Sequence, residues 1–348
     1  MSADRVSPAT RGGWQRLDRL MARGRAFLGT DYAIMGGAMS WVSERHLVAA
    51  ISNGGGFGVI ACGAMGPERL AEEITATAAL TDKPFGVNII TLHPAFSDLV
   101  EACAEACCGH VVLAGGLPPG FAIDRLKSAG KRVLCFAPSA TLARKLIRAG
   151  VDALIIEGSE AGGHIGPVST AVLAQEILPA VEEVPVFVAG GIGRGEAIGS
   201  YLLMGAAGVQ LGTRFVCASE SIAHPRFKQA FIRAAARDAV PSVQLDPRFP
   251  VIPVRALRNE SSRQFIELQR EVVGRVDRGE LDKDAAQLMI EQFWGGALRR
   301  AVIEGDVETG SVMAGQSVGM VRAIEPAADI IASLVQEAAA HLERCDCL

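Results

Sequence analysis

Apolar runs of four to six residues recur along the chain, at 32–35 (YAIM), 57–61 (FGVIA), 85–90 (FGVNII), 110–114 (HVVLA), 132–137 (RVLCFA), 152–157 (DALIIE), 185–189 (PVFVA) and 208–212 (GVQLG). Each is too short for a helix, rich in β-branched residues and bounded by turn formers, so each predicts a strand buried on both faces. Between them the apolar spacing changes to that of helices, as in SERHLVAAISNGG, PERLAEEITATAALTDK, ATLARKLIRAG and RGEAIGSYLLMG. Several of these end in glycine, where a helix C-terminus favours positive φ. Eight strand–helix units fit an α/β fold of the (β/α)8 TIM-barrel type better than an open doubly wound sheet. The glycine run at 54–58 precedes a strand instead of following one, so it predicts a helix end and a turn and not a dinucleotide fingerprint.

From about 220 to 300 the pattern turns to polar helical stretches, notably SSRQFIELQREVVGRVDRGELDKDAAQLMIEQFW, with no strand character. The expectation is a barrel formed by 29–219 plus 300–340, a helical cap subdomain inserted at 220–299, and a leader helix within 1–28 that begins near Trp14. The glycine-rich stretch GALRRAVIEGDVETGSVMAGQSVGMV is expected to return as a loop over the barrel mouth. Phe293 and Trp294 are expected either to form a homodimer contact or to pack on the barrel.

Composition narrows the function classes. Among 348 residues the formal net charge is only -4, with no basic stripe to neutralise a phosphate backbone, which argues against nucleic acid as a partner. No apolar run reaches the roughly 18 to 20 residues of a membrane helix. The Arg-rich start lacks the apolar core of a secretory signal; a transit peptide is the alternative to the leader helix. The eight cysteines form no CxxC pair, so no metal site is expected and they read as reduced thiols of a cytoplasmic protein. Cys345 and Cys347 near the C-terminus are read as a frayed end, with chelation or a strained disulfide as the alternative.

The chemistry concentrates in loops after the later strands, which in such a barrel form the active face. Strand seven runs into Gly190-Gly191-Ile192-Gly193 and strand eight into Gly212-Thr213-Arg214. Backbone N–H groups unobstructed by Cβ, with the Thr213 hydroxyl, predict a phosphate cradle. The loop after strand six, EGSEAGGHIG (157–166), places His164 among glycines that leave room for a flat ligand; an imidazole there is a candidate acid or hydrogen-bond donor. Glu157 is read as a ligand contact or a loop cap, Glu160 as solvated, and His46, His93, His110 and His341 as structural.

DKPFGVNI, EGSEAGGHIG, VPVFVAGGIG, GAAGVQLGTRF, SESIAHPRFK, VRALRN and GDVETGSVMAGQ, in this order over about residues 30 to 335, resemble the FMN-dependent family that contains nitronate monooxygenase (2-nitropropane dioxygenase) and enoyl-acyl-carrier-protein reductase II. The resemblance implies an FMN-binding barrel with a helical cap, in which Gly190, Gly191, Gly212 and Thr213 hold the FMN phosphate. It places Asn88, Glu157 and Gly163 along the ribityl chain and ring, Met39 against the isoalloxazine, and the Ser311 to Gln316 loop nearby, with Met313 and Gln316 as cofactor contacts. His164 becomes the active-site histidine. One departure lies at the first strand, where the family commonly reads Pro-Ile followed by Gln-Gly-Gly-Met and this chain reads Ala33-Ile34-Met35-Gly36-Gly37-Ala38-Met39. The resemblance leaves two small-molecule chemistries open: oxidation of alkyl nitronates with oxygen to a carbonyl compound and nitrite, or NADH- or NADPH-dependent reduction of an enoyl thioester or quinone. A non-catalytic flavin binder is disfavoured, because it has no need of His164 at the barrel mouth.

Overall fold

The computed structural model describes residues 9–346. Its eight barrel strands, β1 to β8, are Ile34–Gly36, Gly58–Ala61, Phe85–Ile90, His110–Ala114, Arg132–Phe136, Ala153–Glu157, Val186–Ala189 and Gly208–Leu211; strands outside the barrel are named by their residues. All eight pair in parallel, β2 through β8 in sequence and β8 with β1. A parallel bridge between Met35 and Phe57 links β1 to β2 and closes the circle, giving the TIM barrel that the apolar runs predict. The runs are continuous because both faces of each strand are covered: Ala153, Leu154, Ile155 and Ile156 are all fully buried.

Helices follow each of the first seven strands, and the eighth place in the outer ring is taken by Ala327–Asp346, far along the chain. This helix packs on Gly195–Leu203 and on the N-terminal helix Arg11–Leu28. Gly195 permits the close approach, since a Cβ there would collide with the carbonyl of Leu334. The described part of the leader region is therefore helical and packed from Arg11 to Leu28, burying Leu17, Met21 and Leu28. At the N-terminal end of the barrel His110 Nε2 meets the carbonyl of Phe27 at 2.9 Å, and burial lowers this imidazole to about 4, which fits a structural histidine.

The region after β8 departs from the all-helical expectation. Ala239–Pro241 and Val254–Leu257 are strands that form an antiparallel sheet with Gly163–His164. They are three and four residues long, and one partner lies some ninety residues upstream, so no local pattern marks them. The long polar stretch does fold as two helices, Glu260–Asp277 and Lys283–Arg299. These pack around a second apolar cluster of Phe249, Val254, Phe265, Val272, Ile290 and Trp294. Trp294 is buried there against Phe265, ring centroids 4.5 Å apart, so it is a packing residue. Cys347 lies outside the described residues, and Cys345 Sγ sits 3.7 Å from His341 Nε2. No helix among the described residues is long and apolar enough to cross a membrane.

Candidate active site

A cavity of about 380 Å³ opens at the C-terminal end of the barrel, within the size range of small-molecule sites. Its walls come from almost every strand end, and they bring together Met39, Asn88, Glu157, Gly163, His164, Gly190, Gly191, Gly212, Thr213 and Met313. Gln316 is not among them. It lines an outer depression with Arg233 and Arg322, because the chain turns into a short 3-10 helix there and its N–H is fixed to the Glu160 carbonyl at 2.9 Å. The next residue but one from Gly315, Ser317, faces the cavity instead.

The glycine cradle has the form expected of an anion site. Gly190 and Gly191 have φ of 94° and 70°, left-handed conformations that glycine adopts without strain. A Cβ at Gly191 would lie 3.0 Å from Glu160 Cβ, so the turn depends on its absence. Among the described residues no carbonyl or side-chain oxygen accepts the N–H of Gly191 or Gly212. Thr213 Oγ1 accepts from the Gly315 N–H at 3.0 Å, which leaves its own proton to be donated. The lining residues include no Lys or Arg, so an anion here is met by N–H and hydroxyl dipoles.

The other face is built by the loop after β6. Glycine is required at 158, where a Cβ would run into Thr170, and this lets Glu160 turn back under the loop. Glu160 is not simply solvated: its Oε2 accepts from the Thr170 N–H at 2.9 Å and from Thr170 Oγ1 at 3.0 Å, anchoring the loop to the helix Thr170–Ile177. The chain then pairs with Val254–Leu257, setting His164 opposite Val254.

Glu157 and His164 are the two ionisable side chains that line the cavity. Among the described residues neither has a side-chain hydrogen-bond partner. Burial pushes the Glu157 carboxyl up to about 7 and lowers the His164 imidazole, so both shift toward their neutral forms. His164 is exposed at the open side of the cavity, and the protein atoms packed around its ring account for the direction of its shift. Asn88 Nδ2 donates to the Val112 carbonyl at 3.2 Å, leaving the amide oxygen for a ligand.

Several lining residues escaped the sequence reading. Gln210, in β8, is buried and faces the cavity; the signal was one polar residue inside an apolar strand. Leu92 and Ile252 also line the cavity yet are 77% and 60% exposed, and loop residues carry no periodicity that would have revealed them. Trp41, just beyond Met39, has φ of 67°, a strained value for a bulky residue, at the first-strand loop where the sequence departs from the family pattern.

The nitronate monooxygenase family model matches residues 23–114 and 100–337. The (3aS,4S,5R,7aS)-5-hydroxy-7a-methyl-1-oxo-octahydro-1H-indene-4-carboxyl-CoA dehydrogenase of Mycobacterium tuberculosis is 32% identical, over 92% of this chain and 97% of that protein. Nitronate monooxygenase of Paraburkholderia phytofirmans is 29% identical, over 91% of this chain and 95% of its own. The structure of FabK from Thermotoga maritima superposes with a TM-score of 0.84 at 38% identity, covering 93% of this chain and 98% of FabK. Matched along nearly its whole length, the chain belongs to the nitronate monooxygenase family of flavin-dependent oxidoreductases.

Proposed function

We propose that this protein is an FMN-dependent oxidoreductase acting at the α,β-carbons of an acyl thioester with a bulky apolar acyl group. The observation that carries this reading is the pair Leu92 and Ile252, which line the cavity while 77% and 60% exposed to solvent. Large apolar side chains that line a site yet face solvent favour a ligand that covers them. A small nitronate has no group to do so. The relative from M. tuberculosis, named for a CoA thioester of a methylated bicyclic acid, supports the same substrate class.

The residues present fit FMN. Gly190, Gly191, Gly212 and Thr213 would hold its phosphate with N–H and hydroxyl donors, in a turn whose tight packing of Gly191 on Glu160 leaves no room for a Cβ. Asn88, Gln210, Glu157 and Gly163 would meet the polar edge of the ring and the ribityl chain, and Met39 and Met313 would pack on apolar ring surface. When bound, FMN supplies a two-electron acceptor and donor, with NADH or NADPH as the source of electrons for reduction.

His164 does the protein's share of the chemistry. Neutral at physiological pH, it can donate a hydrogen bond to the thioester oxygen, where charge develops as an enolate forms, and it can hold or return a proton there. An acyl group lying over His164 would displace water and strengthen this bond. Anaerobic absorbance spectroscopy tests the assignment. The expected result is that NADH or NADPH bleaches the yellow flavin and an α,β-unsaturated acyl-CoA restores it, or that the saturated acyl-CoA bleaches it directly. Bleaching by an alkyl nitronate, with no response to any acyl-CoA, would show nitronate oxidation instead.

A further inference from the structure

The motif VRALRN (254–259) touches neither the cradle nor the floor of the cavity, apart from what it holds in place. The His164 ring has no hydrogen-bond partner in the protein among the described residues, so its direction must come from its backbone. Before His164 the loop is held by the Gln316 N–H on the Glu160 carbonyl and by the close approach of Gly162 to Ala314 and Gly315; at His164 itself the backbone is held by the small sheet. Val254 stands opposite His164 and Arg255 opposite Gly163, and the Ile165 N–H donates to the Pro253 carbonyl at 2.9 Å. The same strand continues the roof, since Ala256 bridges Met313 and the Leu257 N–H donates to Val312.

Arg255 adds a tie that strand pairing alone does not make. Its side chain is buried, at 7% exposure. Nε donates to the Ser159 carbonyl at 2.8 Å, and Nη1 donates to the Ala239 carbonyl at 2.6 Å. One planar guanidinium therefore joins the loop that leaves β6 to the far strand of the small sheet. Glu160, beside it, offers a favourable charge and is itself anchored to Thr170. An ammonium gathers its three donors on one nitrogen and cannot reproduce the planar fork.

We infer that Arg255 is a positioning residue for His164, pinning the loop 159–164 to the sheet Ala239–Pro241 and Val254–Leu257 so that the imidazole faces the cavity. The inference rests on His164 being the working side chain of the proposed function. Arg255 touches no substrate; its effect runs through the enclosure and angle of the His164 ring. The charged or titratable groups around that ring are Glu157 within the cavity, and Glu160 and Arg255 behind the loop.

The test is histidine NMR on the purified flavoprotein, with His164 assigned by loss of its signal in His164→Gln, alongside steady-state kinetics. In Arg255→Met the His164 titration is expected to move up toward an ordinary histidine as the loop loosens, with kcat falling by about 10²-fold, the size of effect that a misplacement of about 1 Å produces. FMN is expected to remain bound, because its phosphate cradle is built by other loops and only the Gly163 contact lies on the loosened segment. Arg255→Lys is expected to fall between wild type and Arg255→Met in both readouts. A folded Arg255→Met with unchanged titration and kcat overturns the inference. So does an unfolded Arg255→Met paired with an Arg255→Lys that behaves as wild type, or failure of both variants to fold, because Arg255 would then serve folding alone. If the His164 signal shifts while kcat does not, the hold on the ring stands and it is the catalytic reading of His164 that fails.

Discussion

Thr213 Oγ1 accepts the N–H of Gly315 at 3.0 Å, so the cradle after β8 is tied directly to the segment that returns over the barrel mouth. The same hydroxyl keeps its own proton to donate, so under the proposed function one side chain would serve both the phosphate and the roof. Thr213→Val removes both roles and leaves the Gly315 N–H short of a partner, a loss of about 1–3 kcal/mol. FMN retention on dialysis is expected to fall by roughly tenfold or more in Thr213→Val, and Thr213→Glu is expected to purify colourless because a carboxylate repels the phosphate. A fully loaded, yellow Thr213→Glu protein would remove this residue from the phosphate site.

Glu157 gives a stability prediction that needs no substrate. Its carboxyl is raised from 4.5 to about 7 by burial, so the folded protein holds this proton more tightly than the unfolded chain does. Stability from that proton is present below about pH 4.5 and is lost as pH rises toward 7; above 7 the folded state bears the whole cost of a buried charge. Glu157→Gln, isosteric and neutral, is expected to match wild type near pH 4 and exceed it by on the order of 2–3 kcal/mol above pH 7 in the flavin-free protein. Thermal unfolding across this range reads the difference directly. A stability gap independent of pH would show that Glu157 ionises as an ordinary surface acid.

All eight barrel strands were legible because burial on both faces writes itself as an uninterrupted apolar run, as in Ala153 to Ile156. The glycine turn after β7 was legible for a related reason: Gly190 and Gly191 sit where the chain needs left-handed φ at a strand end, a local requirement. The small sheet was not, since Val254–Leu257 acquires its meaning only when His164 is brought beside it. Glu160 was misread on the same ground. A glutamate in a glycine-rich loop reads as solvated until the fold delivers the Thr170 N–H to it. Gln316 shows the reverse case, a residue that the family resemblance placed at the cofactor although the helical turn at 316–320 carries it to an outer depression.

His164→Ala is expected to keep FMN, whose cradle it does not touch, and to lower kcat by roughly 10²–10⁴-fold, the range of a lost general acid or base. The lowered pKa of His164 places loss of its neutral form below the ordinary 6.5. In wild type, the share of the pH–rate profile due to His164 is therefore expected to fall only on the acid side, with its midpoint below 6.5. Retained turnover in a flavin-replete His164→Ala protein would transfer the catalytic role elsewhere in the cavity, with Glu157 the remaining ionisable group.

The lip makes the most direct statement about the substrate. Leu92 and Ile252 come from loops far apart in sequence and are both largely exposed, so covering them with an acyl group removes apolar surface from water on two sides. Full burial of such a side chain contributes about 1.5–3 kcal/mol, and a ligand that completes only part of it gains about 1 kcal/mol from each. Leu92→Ser and Ile252→Ser are each expected to raise KM about fivefold for a bulky acyl-CoA, and the double variant about twenty-fivefold, since separated contacts add. Short acyl chains, which do not reach the lip, are expected to show little of this penalty. The comparison of chain lengths carries the test: an equal rise in KM for short and bulky acyl-CoA would mean that the substitutions disturb the loops, and that the apolar lip does not select the substrate.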